Sequence, residues 1–183
     1  NSNQKCLESL HKTAGLEYSR YPADFRQGNA TYLPHISEIR KYAQLLQLET
    51  ILAAENDKSD TAFSSIESIF GIAGSIGKEP TIVSQLVRTS CEALGISCLE
   101  YSLNRTDFSD EQLVDLGKLL AKIENSNGII SAVLGERIMA LDMIMHPNPM
   151  YFNRSSTNNS INFLSLSPIL FLYKTARRHR SAR

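Results

Sequence analysis

The spacing of apolar residues is the feature that most restricts what this chain can fold into. Apolar residues recur at intervals of three and four along most of it, and the alternation typical of strands is nearly absent. This period places apolar side chains along one face of an α-helix. We therefore expect an all-α fold of antiparallel helix hairpins, arranged as an α-solenoid or α–α superhelix, with no significant sheet.

Proline, glycine and short polar clusters divide the periodic stretches into six predicted helices. The helices run over about 4–14, about 35–56, a third stretch through Phe63 and Ala73, from Glu79-Pro80 to Tyr101, from Ser109 through Ile123, and over about 127–145. Short polar connections predict that the second and third helices form one antiparallel hairpin and the fourth and fifth another. The two hairpins align with an offset of 47 residues, a weak repeat of the length of a two-helix solenoid unit.

The period also predicts which face of each long helix is buried. The apolar stripe of the second helix includes Leu48 and Leu52, and that of the fourth includes Ile82 and Leu86. A stripe of this kind normally faces the core. We expect these four side chains to be buried.

Three glycines recur at every third position in the third helix: Gly71, Gly74 and Gly77. The run lacks the lysine and hydroxyl residue that end a phosphate-binding loop, and it does not follow a strand. We interpret it as a bare stripe that lets a neighbouring backbone approach closely.

The chain has 183 residues, of which 42% are apolar, enough to bury a substantial core. Residues 1–146 are expected to form the helical-hairpin domain. Apolar periodicity is lost over 147–162, which predicts a polar linker. Residues 163–183 then predict a short helix that ends in a basic tail.

Charge is balanced over the whole chain, with 19 basic and 19 acidic residues, but it is unevenly distributed. The last ten residues contain five basic residues and no acidic one. These basic residues are Lys174, Arg177, Arg178, Arg180 and Arg183. The tail predicts weak contact with an anionic surface, and no specific nucleic-acid binding is expected from a neutral chain.

Cysteine and histidine spacing indicates neither a disulfide scaffold nor a metal site. Three cysteines are too few for such a scaffold, and Cys91 and Cys98 are roughly 10 Å apart on one helix. Three carboxylate–histidine pairs have helical spacing: Glu8 with His11, His35 with Glu38, and Asp142 with His146. Pairs of this kind arise by chance at about this frequency, so we expect no metal and no cofactor.

Several short segments resemble a known family. They are Tyr21-Pro22-Ala23-Asp24-Phe25, Leu33-Pro34-His35, Ala54-Glu55-Asn56-Asp57 and the stretch from Glu79-Pro80-Thr81 to Arg88. Together they resemble helical, tetratricopeptide-like domains of uncharacterised, envelope-exported bacterial proteins, over about residues 7–146. The resemblance implies a helical fold and an extracytoplasmic, cell-envelope location, and it implies no activity.

Residues 16–34 form a long loop rich in aromatic and charged residues. Mixtures of tyrosine and arginine are favoured at binding hot spots, which makes this loop a candidate partner-binding site. The candidate residues are Tyr18, Arg20, Tyr21, Asp24, Phe25, Tyr32 and His35. The alternative is that the aromatic rings plug the open end of the helix pairs.

Glu136 and Arg137 are candidates for a buried polar site. Arg137 shares a helical face with Ile130, Val133, Leu141 and Ile144, so the period predicts that it is buried and held by a carboxylate or by backbone carbonyls. No catalytic motif is evident in the sequence. We expect a non-catalytic helical binding or scaffolding module with a protein partner. The alternative is a hydrolase or lyase with a site between loop 16–34 and helix 127–145.

Overall fold

A computed structural model describes residues 2–16, 19–124 and 127–145. These residues form α-helices and one 3-10 helix and contain no strand, which confirms the all-α prediction. The elements are α1 (Ser2–Ala14), the 3-10 helix (Phe25–Ala30), α2 (Pro34–Glu55), α3 (Ser59–Ser75), α4 (Ile82–Leu103), α5 (Asp110–Glu124) and α6 (Gly128–Met145). Tyr18, His146, the predicted linker, the predicted last helix and the basic tail lie outside the described residues.

Local capping accounts for where α4 and α5 begin. Ser109 and Gln112 form the predicted capping box, in which the Gln112 N–H donates to Ser109 Oγ and the Ser109 N–H to Gln112 Oε1. At α4 the cap is Thr81, whose hydroxyl accepts from the Ser84 N–H at 3.2 Å. The helix therefore begins at Ile82, slightly later than predicted.

The core lies among α2, α3 and α4, which pack against one another, while α1 packs mainly on α3. Its most deeply buried large side chains are Leu46, Ile66, Ile69 and Ile76. The second predicted hairpin differs from the first, because α5 packs chiefly on α3 rather than on α4. Leu116 anchors α5 to the core. The two hairpins thus have different packing despite the weak repeat in the sequence.

The predicted buried stripes of α2 and α4 are partly wrong. Leu48 and Leu52 of α2 are 64% and 66% exposed, and Ile82 and Leu86 of α4 are 42% and 64% exposed. The first turns of α4 bury polar side chains instead, including Gln85 and Arg88. The reason is that the α3–α4 connection presents backbone carbonyls to this face, which side-chain donors must satisfy.

Helix α6 packs on the start of α4 and on the 3-10 helix. It runs antiparallel to α4: Gly128 lies against Gln85 and Arg88, and Gly135 lies against Pro80. A Cβ added to Gly135 would be 2.2 Å from the Pro80 carbonyl oxygen, so the close approach needs glycine.

The predicted role in close approach is wrong for Gly74. Gly74 is exposed, and a Cβ added to it would meet nothing within 4 Å. Gly77 lies beyond the end of α3. Close approach between helices depends instead on Gly95 of α4, which lies against Phe70 of α3, and on Gly128 and Gly135 of α6, and the sequence indicated none of these.

Candidate functional site

A buried polar cluster joins the start of α2 to the α3–α4 connection. His35 Nε2 lies 2.7 Å from Glu79 Oε1, and both side chains are about nine-tenths buried. The His35 ring stacks on Tyr21 with ring centroids 4.2 Å apart, and the Tyr21 hydroxyl lies 2.9 Å from Ser75 Oγ. Two of the predicted partner-binding residues, Tyr21 and His35, thus hold the loop against the helices.

The second oxygen of Glu79 extends this cluster into α4. It accepts a hydrogen bond from Ser84 Oγ, which also lies 2.6 Å from Thr81 Oγ1. The Gln85 amide donates to the carbonyls of Ile76 at 3.2 Å and Glu79 at 3.0 Å. The serine contacts the carboxylate rather than the imidazole, so the cluster lacks the nucleophile–base pair that hydrolysis needs. It stabilises the connection.

A second cluster, centred on His11, was not found from the sequence. His11 Nδ1 lies 2.9 Å from Ser68 Oγ and 3.2 Å from Ser64 Oγ, and His11 Nε2 lies 2.9 Å from Glu49 Oε2. This order of groups matches a serine–histidine–acid chain. However, Ser68 is fully buried and donates to the Ser64 carbonyl at 2.7 Å.

The surroundings of the His11 cluster do not suit catalysis. Ser64 and Ser68 both lie inside α3, where the backbone N–H groups are used by the helix and cannot stabilise an oxyanion. Ser65 donates to Glu49 at 2.8 Å and satisfies the same carboxylate. The cluster therefore joins α1, α2 and α3 by polar contacts. The partners of His11 lie 38, 53 and 57 residues away in the chain, so no local motif could have revealed the cluster.

The remaining residues of the aromatic loop lie closer to solvent. Asp24 accepts from Arg26 Nε at 2.8 Å, and this hydrogen bond lowers the pKa of Asp24. Phe25 is half-buried, Arg20 is exposed and Tyr32 is 78% exposed. Part of the loop thus packs against the helices and part of it remains accessible, while its role in partner binding stays a prediction.

Two depressions lie near these elements. One, of about 490 Å³, is lined by loop residues 20 and 22–26. The other, of about 130 Å³ between α2 and α4, is small beside the ~300–1,000 Å³ of typical ligand pockets. Its lining includes Cys91, and burial raises the pKa of the Cys91 thiol, which opposes use as a nucleophile. Neither depression joins the loop to α6, the position of the predicted hydrolase or lyase site.

The side of α6 that faces away from α4 exposes several large apolar residues. We define the outer face of α6 as the residues opposite its packed glycines. They are Ile130, Val133, Leu134, Arg137, Leu141 and Ile144. The five apolar members are 41–61% exposed. Even so, none of the described helices is long and apolar enough to cross a membrane.

No protein-family model, curated protein or solved structure matches this chain. The tetratricopeptide-like envelope family that the sequence resembles therefore stays a prediction.

The predicted burial of Arg137 is wrong. Arg137 is exposed on the outer face of α6. Its neighbour Glu136 is half-buried and accepts from the Ile82 N–H at 3.1 Å, so it helps to cap α4. The buried arginine of this region is Arg88, whose Nε donates to Glu92 Oε1 at 2.8 Å. Because α6 is apolar on nearly all sides, its period could not indicate which side packs.

Groups able to hold a metal are also scarce. Within the described ranges, no three His, Cys, Asp or Glu side chains come together as potential ligands. His11 pairs with Glu49 and His35 with Glu79, rather than with the carboxylates at helical spacing, and His146 lies outside the described residues. The imidazoles of His11 and His35 thus join separate elements of the fold.

Proposed function

We propose that this domain is a non-catalytic protein-binding module and that the outer face of α6 is its docking surface. The observation that carries the proposal is the exposure of large apolar side chains along one helix. Ile130 is 61% exposed, Leu134 is 53% and Leu141 is 48%. Contiguous apolar surface of this kind is typical of protein-interaction sites.

The attachment of α6 supports the same proposal. Its inner side is held by close packing at Gly128 and Gly135 and by the Glu136 hydrogen bond to α4. The outer face is therefore presented on an element that the body positions. A preorganised surface costs less conformational entropy on binding than a disordered segment.

The polar clusters support a binding role over catalysis. His11 and His35 each pair with a carboxylate from another element of the fold. In the His35 cluster the serine contacts the carboxylate rather than the imidazole. The serines beside His11 lie inside α3, where no free backbone N–H group can stabilise an oxyanion. Among the described residues, α6 instead offers the chemistry that protein interfaces use, which is apolar side chains around an arginine.

Site-specific photo-cross-linking in cells that naturally express the protein tests this proposal. A photoreactive residue at Leu134 should give a discrete protein adduct that disappears when Leu141 and Ile144 are changed to serine. The matched control is Val114, which is 57% exposed on α5. A photoreactive residue at Tyr32 tests whether the aromatic loop binds a partner. An adduct from Tyr32 but not from Leu134 would move the docking surface to the loop, and equal adducts from Val114 and Leu134 would contradict a specific surface.

A further inference from the structure

The outer face of α6 contains a regular seam. Ile130, Leu134, Arg137, Leu141 and Ile144 follow one another at steps of four, three, four and three residues. This is the spacing of the a and d positions of a heptad, which meet a partner helix in a coiled coil. Val133 and Ile138 flank the seam and are also exposed. This spacing allows a partner helix to pack along α6.

Arg137 is the middle residue of this seam, with two apolar residues on each side. It is exposed, and within the described ranges no ion pair to it is observed. A helix that covers the seam would remove the guanidinium from water, which is costly unless the partner supplies an acceptor. The partner therefore needs a carboxylate at the matching position.

A second copy of this chain does not meet this need. Because Arg137 lies at the centre of the seam, pairing α6 with α6 of another copy brings the two Arg137 side chains together. This holds for a parallel in-register pair and for an antiparallel one. Like charges in an apolar interface repel strongly, since the surrounding dielectric constant is low.

The C-terminal segment of the same chain does not meet it either. Residues 163–173 are rich in apolar residues, but no Asp or Glu occurs anywhere in 147–183. That segment offers no side-chain carboxylate for Arg137. Charge complementarity thus favours a different protein.

We propose that α6 binds an amphipathic helix of another protein, in which apolar residues at heptad spacing flank one central Glu or Asp that pairs with Arg137. This inference rests on the proposed function and adds the chemical class of the partner. A single charged residue in an otherwise apolar seam sets register and partner choice. Arg137 then acts as a specificity determinant.

The test uses the full chain and three synthetic helical peptides of about three heptads. The peptides share leucine at the a and d positions and differ only at the central d position, which is Glu, Gln or Lys. We expect the Glu peptide to bind wild-type protein at least about tenfold more tightly than the Lys peptide in calorimetry or fluorescence anisotropy. Arg137→Glu should reverse that order. Lys122→Glu, an exposed charge reversal on α5, should leave it unchanged.

Three results would overturn the inference. The first is equal affinity of wild-type protein for the Glu and Lys peptides. The second is a dimer in light scattering that Leu134→Glu dissociates, which would make a second copy the occupant. The third is peptide binding only after residues 163–183 are removed, which would make the chain itself the occupant. A discrete cross-link at Leu134 together with the first result would retain the binding function and reject the acidic-helix partner.

Discussion

His35 and Glu79 are 44 residues apart in the chain, and their side chains meet at 2.7 Å. The pair joins the first turn of α2 to the connection between α3 and α4. Glu79 also accepts from Ser84, so one carboxylate joins three parts of the fold. A buried carboxylate with this number of donors is costly to remove, because its partners are left unsatisfied.

We expect Glu79→Ala to lower the free energy of unfolding by roughly 3–5 kcal/mol, since it leaves a buried histidine and serine without their acceptor. Urea denaturation measures the loss. The control is Glu38→Ala, which removes an exposed pair with Lys41 and should cost under about 1 kcal/mol. Equal losses in the two variants would show that the buried cluster contributes little.

The Cys98 thiol gives a prediction at alkaline pH. Burial raises the pKa of Cys98 from 9.0 to about 11, so the folded state holds the thiol proton more tightly than the unfolded state. This contribution to stability is fully present below pH 9.0 and is lost as pH rises towards about 11. At 1.36 kcal/mol per pKa unit, the loss is up to about 2.7 kcal/mol.

Chemical denaturation from pH 8 to 11 measures this effect of Cys98. Lysine and tyrosine residues also titrate in this range, so wild type is compared with Cys98→Ala. The alanine variant should start less stable, because it leaves a cavity, and should then show the shallower decline. If the stability of wild type and of Cys98→Ala declined in parallel, the Cys98 thiol would not contribute to the pH dependence.

Gly135 tests the docking of α6. A Cβ there would lie 2.2 Å from the Pro80 carbonyl oxygen, so Gly135→Ala should push α6 away from α4 and cost about 1–3 kcal/mol. Backbone amide hydrogen exchange along α6 should be faster in Gly135→Ala than in wild type. Gly117→Ala in α5 is the control: its added methyl meets nothing within 4 Å, so it should stabilise by up to about 1 kcal/mol. A neutral Gly135→Ala would contradict the close packing.

Arg88 and Arg137 are expected to contribute very differently to the stability of the fold. Arg88 is 8% exposed and pairs with Glu92, so Arg88→Ala should cost roughly 3 kcal/mol. Arg137 is exposed, and Arg137→Ala should change stability by no more than about 0.5 kcal/mol. Thermal unfolding of the two variants distinguishes these effects. A large loss in Arg137→Ala would restore the prediction from helical periodicity that Arg137 is buried.

The sequence by itself determined where the helices lie. Predicted and observed ends agree closely for α2 and α6, and the capping box at Ser109 is present as predicted. Helix formation depends on hydrogen bonds between residues four apart and on caps within one turn, so the information is local. Because this information is local, it does not predict contacts between residues that are far apart in the chain. The histidine partners Glu49 and Glu79 lie tens of residues away, where no local pattern indicates them.

Only the tertiary structure decided which sides of the helices are buried. In α4 the carbonyls of the α3–α4 connection draw Gln85 inward, while Leu86 remains exposed. In α6 apolar residues surround the helix, so periodicity selected the side containing Arg137 although the opposite side packs. The small residues Gly128 and Gly135 determine that packing, because an added Cβ would meet the Gln85 and Arg88 side chains at Gly128 and the Pro80 carbonyl at Gly135. Contact distance, rather than hydrophobicity, therefore set the orientation of the helix that carries the proposed docking surface.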